Sequence, residues 1–136
     1  MPGNFYDTNV LVYLASGNSA KADAAERAIS LGGTISVQVL NELTNVLRKK
    51  DNRSWRDIEL VLDDVENALE PALPLTAATT RAALALARDH GFAFYDALIV
   101  AAAIEAGCDV LYSEDLQHGR KFGALTIVNP FRGSES

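Results

Sequence analysis

The 136-residue chain has one cysteine, and Cys108 has no partner for an intramolecular disulfide and no Cys or His neighbour at zinc-knuckle spacing. It is expected to be packed and inert. Basic residues are in deficit too: 12 Lys and Arg stand against 18 Asp and Glu, a formal net charge of −6. That balance argues against a protein that grips phosphate backbones by surface charge alone. No apolar run approaches the roughly 18 residues needed to span a bilayer, and Asn4 and Asp7 interrupt the apolar start, against a signal peptide. With only four prolines and no long polar tract, low complexity and extended disorder are excluded as well. The expected setting is a reducing cytoplasm, away from membranes.

What is present is 49% hydrophobic residues, and a chain of about this length buries roughly 68–70% of its unfolded surface. One domain over residues 1–131 with a short flexible tail at 132–136 is the expectation. Asn4-Phe5-Tyr6 reads as a strand, followed by the polar turn Asp7-Thr8-Asn9 and a short helix from Val10. Ser19 caps a helix to about Leu31, stopped by Gly32-Gly33, and Thr34 to Ser36 reads as a brief strand. Val37 to Lys50 places Val39, Leu43, Val46 and Leu47 on one helical face. Helices from Ser54 to Leu69 and from Thr76 to near Gly91 flank a strand at Ala72 to Leu75. Ala97 to Ile104 is apolar on every side, the mark of a helix packed all round. Strands at Val110–Ser113 and Leu125–Val128 complete an alternation that implies a parallel sheet covered on both faces, its crevice at the strand C-termini.

Four acids fall where such a fold can gather them. Asp7 and Asp115 follow strands, Asp96 starts the buried helix, and Glu42 points into the apolar stripe of its helix. Singly, Asp7 reads as a turn residue or helix cap, Asp115 fares no better, and Asp96 reads as a helix cap. Glu42 needs a partner, a proton or a cation, because a carboxylate on an apolar stripe is costly alone; Arg48, Lys49 or Lys50 are the candidate salt-bridge partners. Together the four describe one oxygen-only site, which selects Mg²⁺ or Mn²⁺ over zinc or copper. Ions of that kind serve phosphate chemistry by activating water and neutralising developing charge. Two divalent ions would offset four of the six negatives and leave −2, so acidity does not exclude a nucleic-acid partner.

Four segments carry a family resemblance: Phe5-Tyr6-Asp7-Thr8-Asn9-Val10-Leu11-Val12, Val39-Leu40-Asn41-Glu42-Leu43, Phe94-Tyr95-Asp96-Ala97-Leu98-Ile99 and Leu111-Tyr112-Ser113-Glu114-Asp115-Leu116. In order and spacing they resemble the signature segments of PIN-domain ribonucleases, and the likeness runs from about Asn4 to Pro130. The resemblance implies a three-layer α/β/α fold with a short, mainly parallel central sheet. Small single-domain proteins of this pattern are mostly VapC-type toxins of toxin–antitoxin pairs. The likeness therefore implies a Mg²⁺- or Mn²⁺-dependent endoribonuclease, usually a homodimer, acting on tRNA or rRNA and held inactive by a cognate antitoxin. Carried over by position, Asp7, Glu42, Asp96 and Asp115 become the catalytic, metal-binding acids, and Thr8, Asn9 and Ser113 orient a carboxylate or water. Many relatives have another acid two residues after the fourth; here that position is Gln117, which puts a second metal in doubt and leaves Glu114 as substitute or bystander.

Other residues read more plainly. Arg48, Lys49, Lys50, Arg53 and Arg56 form the densest basic run, a solvated helix end with phosphate contact as the minority reading. Arg120 and Lys121 lie nearer the fourth acid in sequence. His118 reads as a surface-loop residue and His90 as part of a helix C-terminus, while Trp55 and Phe122 are expected to pack in a core or interface before stacking on a base. A haloacid-dehalogenase-like phosphatase needs a second Asp where Asn9 stands, and a response-regulator receiver needs paired acids and a later lysine that are not visible. The alternative kept open is a catalytically inactive PIN-like module that binds RNA or protein.

Overall fold

The computed structural model describes residues 3–17 and 19–132. Its sheet comprises β1 (Asn4–Tyr6), β2 (Val110–Tyr112), β3 (Lys121–Phe122) and β4 (Leu125–Val128) in the order β1-β2-β4-β3. β1, β2 and β4 run parallel, while β3 pairs antiparallel to β4. Phe5, Leu111 and Ile127 lie in register across the three parallel strands and are fully buried, forming one apolar stripe. Tyr6, on the opposite face because side chains alternate along a strand, is fully buried as well. Helices therefore cover both faces, and the mainly parallel α/β arrangement agrees with the expectation. Of the expected tail, Arg132 is an exposed turn residue and 133–136 lie outside the described residues.

Six helices surround this sheet: α1 (Thr8–Ser16), α2 (Ala20–Ile29), α3 (Val37–Lys49), α4 (Trp55–Ala68), α5 (Ala77–His90) and α6 (Phe94–Glu105). Their starts follow local chemistry. Asp7, Ser19, Ser36, Ser54 and Thr76 each accept a backbone N–H at their helix N-terminus, satisfying a donor that the first turn leaves unpaired. α6 is the exception, with Ala93 at its N-cap position and no side-chain cap bond. It is held by burial, with every residue from Ala97 to Ala103 in the core, so a weak start is offset by packing.

Two expected strands shrink to single bridges, Phe5 with Thr34 and Ser36 with Leu73. Ser36 is already the cap of α3, and Leu73 lies between Pro71-Ala72 and Pro74, whose prolines lack the N–H that would extend a ladder. The Thr34 bridge depends on Gly33, at φ 140, where an added Cβ would stand 2.4 Å from the Asn4 carbonyl oxygen. β3 was not anticipated from sequence. The pairing of Phe122 with Leu125 leaves Gly123-Ala124 as a two-residue turn, with Gly123 at φ 59.

Candidate metal centre

The C-terminal ends of β1 and β2 set the floor of the site. The backbone N–H of Asp7 donates to the Tyr112 carbonyl (2.9 Å), and that of Ser113 to the Val128 carbonyl (3.0 Å), so both residues leave the sheet at one edge. Asp7 is 4% exposed. Its Oδ1 accepts the Thr8 N–H at 2.7 Å, and its Oδ2 accepts from the Ser113 hydroxyl at 2.7 Å and the Asn9 amide at 3.3 Å. All three donors are neutral. Burial pushes the Asp7 carboxyl up to about 6, and the charges of Asp96 and Glu42 add to the rise while the Ser113 and Thr8 hydrogen bonds oppose it.

Glu42 reaches the same place from α3. Thr8 Oγ1 donates to its Oε1 at 3.1 Å and Gln38 Nε2 to its Oε2 at 2.8 Å. Both oxygens are held by neutral groups, and among the described residues no ion pair with Arg48, Lys49 or Lys50 forms. Gln38 was missed in the sequence, although it stands one helical turn before Glu42, the spacing at which side chains on a helix meet. Asp96 projects from the uncapped first turn of α6, half-buried, its carboxyl raised by burial and by the charges of Glu42 and Asp115. Asp115 is the exposed member, joined to Asp7 through Asn9, whose Nδ2 donates to Asp115 Oδ2 at 3.1 Å while its Oδ1 accepts the Glu114 N–H at 3.1 Å.

The structure thus brings Asp7, Glu42, Asp96 and Asp115 to the wall of one cavity of about 340 Å³, with Thr8 and Asn9 beside them. Ser113 stands behind it, fully buried, donating to Asp7 and accepting the Leu116 N–H at 3.2 Å. Val12, Tyr13, Val46, Lys50, Asp51 and Glu114 complete the lining. Glu114 also lines the cavity and does not face solvent idly. Tyr13 donates to it at 2.9 Å and Lys21 pairs with it, which pins it to the rim. His118 lies elsewhere, bracing its loop by accepting the Asn129 N–H at 2.9 Å, and Arg120 packs over Phe92 and Phe122. Trp55, expected in a core or an interface, is 59% exposed and so lies outside the core of the chain.

Among the described residues no three acids, histidines or cysteines form a group that could hold one ion; burial first, and the neighbouring acids' charges after it, raise the Asp7 and Asp96 carboxyls. The donor set fits a hard divalent cation all the same. It is oxygen-only, and the described residues pair none of the four acids with a basic group.

These features define a small α/β domain with an oxygen-lined acidic cavity at its strand ends. The chain belongs to the PIN domain family, whose signature matches residues 5–121. No curated protein matches it. Its fold is similar to that of Mycobacterium tuberculosis VapC20, a Sarcin-Ricin loop cleaving toxin, at 20% identity and a TM-score of 0.68, covering 82% of this chain and 89% of that one. A toxin–antitoxin complex from Klebsiella pneumoniae is similar at 18% identity and a TM-score of 0.71, over 93% and 97% of the two chains. VapBC2 from Rickettsia felis, bound to a DNA fragment from its promoter, is similar at 20% identity and a TM-score of 0.67, over 91% and 96%. None of the described helices is long and apolar enough to cross a membrane.

Proposed function

We propose that this chain is a Mg²⁺- or Mn²⁺-dependent endoribonuclease, the toxin of a VapBC-type pair, acting in the cytoplasm on tRNA or rRNA as a homodimer restrained by a cognate antitoxin. The observation that carries the reading is the meeting of four carboxylates from four separate segments at one cavity on a PIN fold, with no basic group among the described residues paired to them. Its similarity to a Sarcin-Ricin loop cleaving toxin and to toxin–antitoxin complexes supports the biological setting.

Asp7, Glu42, Asp96 and Asp115 would hold the cation. When bound there, it supplies a positive charge that polarises water and phosphate oxygens. The chain's own part is preorganisation. Ser113, Thr8 and Asn9 fix the Asp7 oxygens, Thr8 and Gln38 fix those of Glu42, and Asn9 ties Asp7 to Asp115. A PIN-like module that binds without cutting would need none of this arrangement, which weighs against the alternative.

The test is RNA cleavage by the purified, antitoxin-free chain. Fragments are expected in Mg²⁺ or Mn²⁺, none in chelator, and a loss of at least about 100-fold in Asp96→Asn with the fold intact. Intact RNA in both metals would refute the reading.

A further inference from the structure

An acidic cavity repels the phosphate chain it is proposed to cut, so something beside it has to hold the RNA. Positions 48–56 carry five of the chain's 12 basic residues against one acid, Asp51. This run joins the C-terminus of α3 to the start of α4. α3 presents Glu42, Val46 and Lys50 to the cavity on successive turns, so the run begins at the cavity wall. Trp55, the only tryptophan, is 59% exposed. The Arg48 guanidinium stacks over its ring at 4.3 Å from the centroid, and Arg48 is itself fixed by donating to the Arg53 carbonyl at 3.0 Å. One face of the indole is thus covered by a held cation, while the residue as a whole is still 59% exposed. Among the described residues Lys49 and Lys50 make no ion pair, and both are exposed.

We infer that single-stranded RNA enters the cavity across this corner, with a base stacked on the other face of Trp55 and adjacent phosphates on Lys49 and Lys50. The inference rests on the ribonuclease reading and adds the substrate's path. A rigid aromatic platform beside a phosphate-binding cation is the general means of holding an unpaired strand, and an arginine behind the ring adds a cation–π contribution. The positive charge of this corner on a chain of net −6 favours a polyanion over a second copy of the same acidic chain.

The experiment uses full-length Asp96→Asn protein in Mg²⁺, so that RNA survives the titration, and an unpaired RNA of about a dozen nucleotides, within the usual site size. Binding is followed by anisotropy of labelled RNA, and stacking by the intrinsic fluorescence of the single tryptophan. Quenching that saturates with binding is expected. Trp55→Ala should weaken binding about tenfold, and Lys49→Gln with Lys50→Gln should lower the salt slope by about two. In the otherwise unaltered enzyme, Trp55→Ala should raise KM with kcat retained.

RNA that binds without changing the fluorescence, or as tightly to Trp55→Ala, overturns the path while leaving the nuclease reading intact. So does equal quenching by a polyglutamate peptide, which carries charge without bases, or quenching that follows protein concentration alone, which marks a contact between copies. If the unaltered enzyme fails to cut RNA in either metal, it is the nuclease reading that falls.

Discussion

Asp7 is the acid on which the fold weighs most, and Asp7→Asn measures that weight. The carboxyl titrates at about 6 instead of 3.8, a displacement worth about 3 kcal/mol at about 1.4 kcal/mol per pH unit. The folded state binds the proton more tightly than the unfolded chain. Its full stability is therefore present below pH 3.8, falls as pH rises through about 6, and stays reduced above that. Asparagine removes the charge and keeps the acceptor for the Thr8 N–H, but sets an NH₂ against the Asn9 amide and the Ser113 hydroxyl, a loss of about 1 kcal/mol. A net gain of about 2 kcal/mol at pH 7.5 is expected in chelator, roughly 5–10 °C in Tm for a chain of this size. At pH 4 the gain should vanish. Mg²⁺ or Mn²⁺ should then raise the Tm of the unaltered protein and leave the variant unmoved, since only a native state that binds the ion is stabilised by it. Thermal melts at the two pH values, with and without metal, decide the matter. An Asp7→Asn protein that melts at or below the unaltered Tm at pH 7.5 would refute the claim that an ionised Asp7 strains the fold.

Three further outcomes are expected. Because protons compete with the cation for Asp7 and Asp96, both raised above the ordinary carboxylate range, cleavage should fall as pH drops through about 6, which a pH–rate profile in Mn²⁺ would reveal; a flat profile from pH 5 to 8 would contradict it. Glu114→Gln should cut RNA within about threefold of the unaltered rate, because Lys21 and Tyr13 already hold Glu114 at the rim, whereas Asp115→Asn should lose about 100-fold; equal losses would make Glu114 a ligand. Gly33→Ala should destabilise by at least about 2 kcal/mol in denaturant unfolding, since its Cβ would meet the Asn4 carbonyl and the Tyr6 ring at a φ of 140.

The helices were legible because their signals are local. Ser19, Ser54 and Thr76 each mark a start that the hydrogen bonds reproduce, and the apolar run of α6 announces its burial. The short strands were less so. Thr34–Ser36 and Ala72–Leu75 have strand-like composition, but capping by Ser36 and the prolines around Leu73 limit them to bridges, and β3 is defined by its pairing with β4 more than by its own two residues. The convergence of the four acids at one cavity could be read from their positions after strands and on helices. Their supports could be read less well. Gln38 lies at a helical spacing from Glu42 that many unrelated residues share, and the capture of Glu114 joins α1, α2 and the loop after β2 across more than ninety positions of sequence. Trp55 lies outside the core that its residue type suggests, because its place at the first position of α4 is at the end of the face that buries Ile58 and Val65.

The choice of partners around the cavity bears on function more than the acids alone. A lysine beside Asp7 or Glu42 would have removed much of the electrostatic cost, but it would also have cancelled the field that attracts a cation. The described structure instead supplies Asp7 and Glu42 with hydroxyl, amide and backbone N–H donors, which orient oxygens without neutralising them. Lys21 is paired with Glu114 at the rim, and Lys50, the one lysine in the lining, forms no ion pair with the acids among the described residues. Such an arrangement is unfavourable for the fold and favourable for an ion, so stability lost to these carboxylates should return when a divalent cation binds. That reciprocity separates a metal centre from a merely polar pocket, and it is what the paired melts of Asp7→Asn and the unaltered chain would measure.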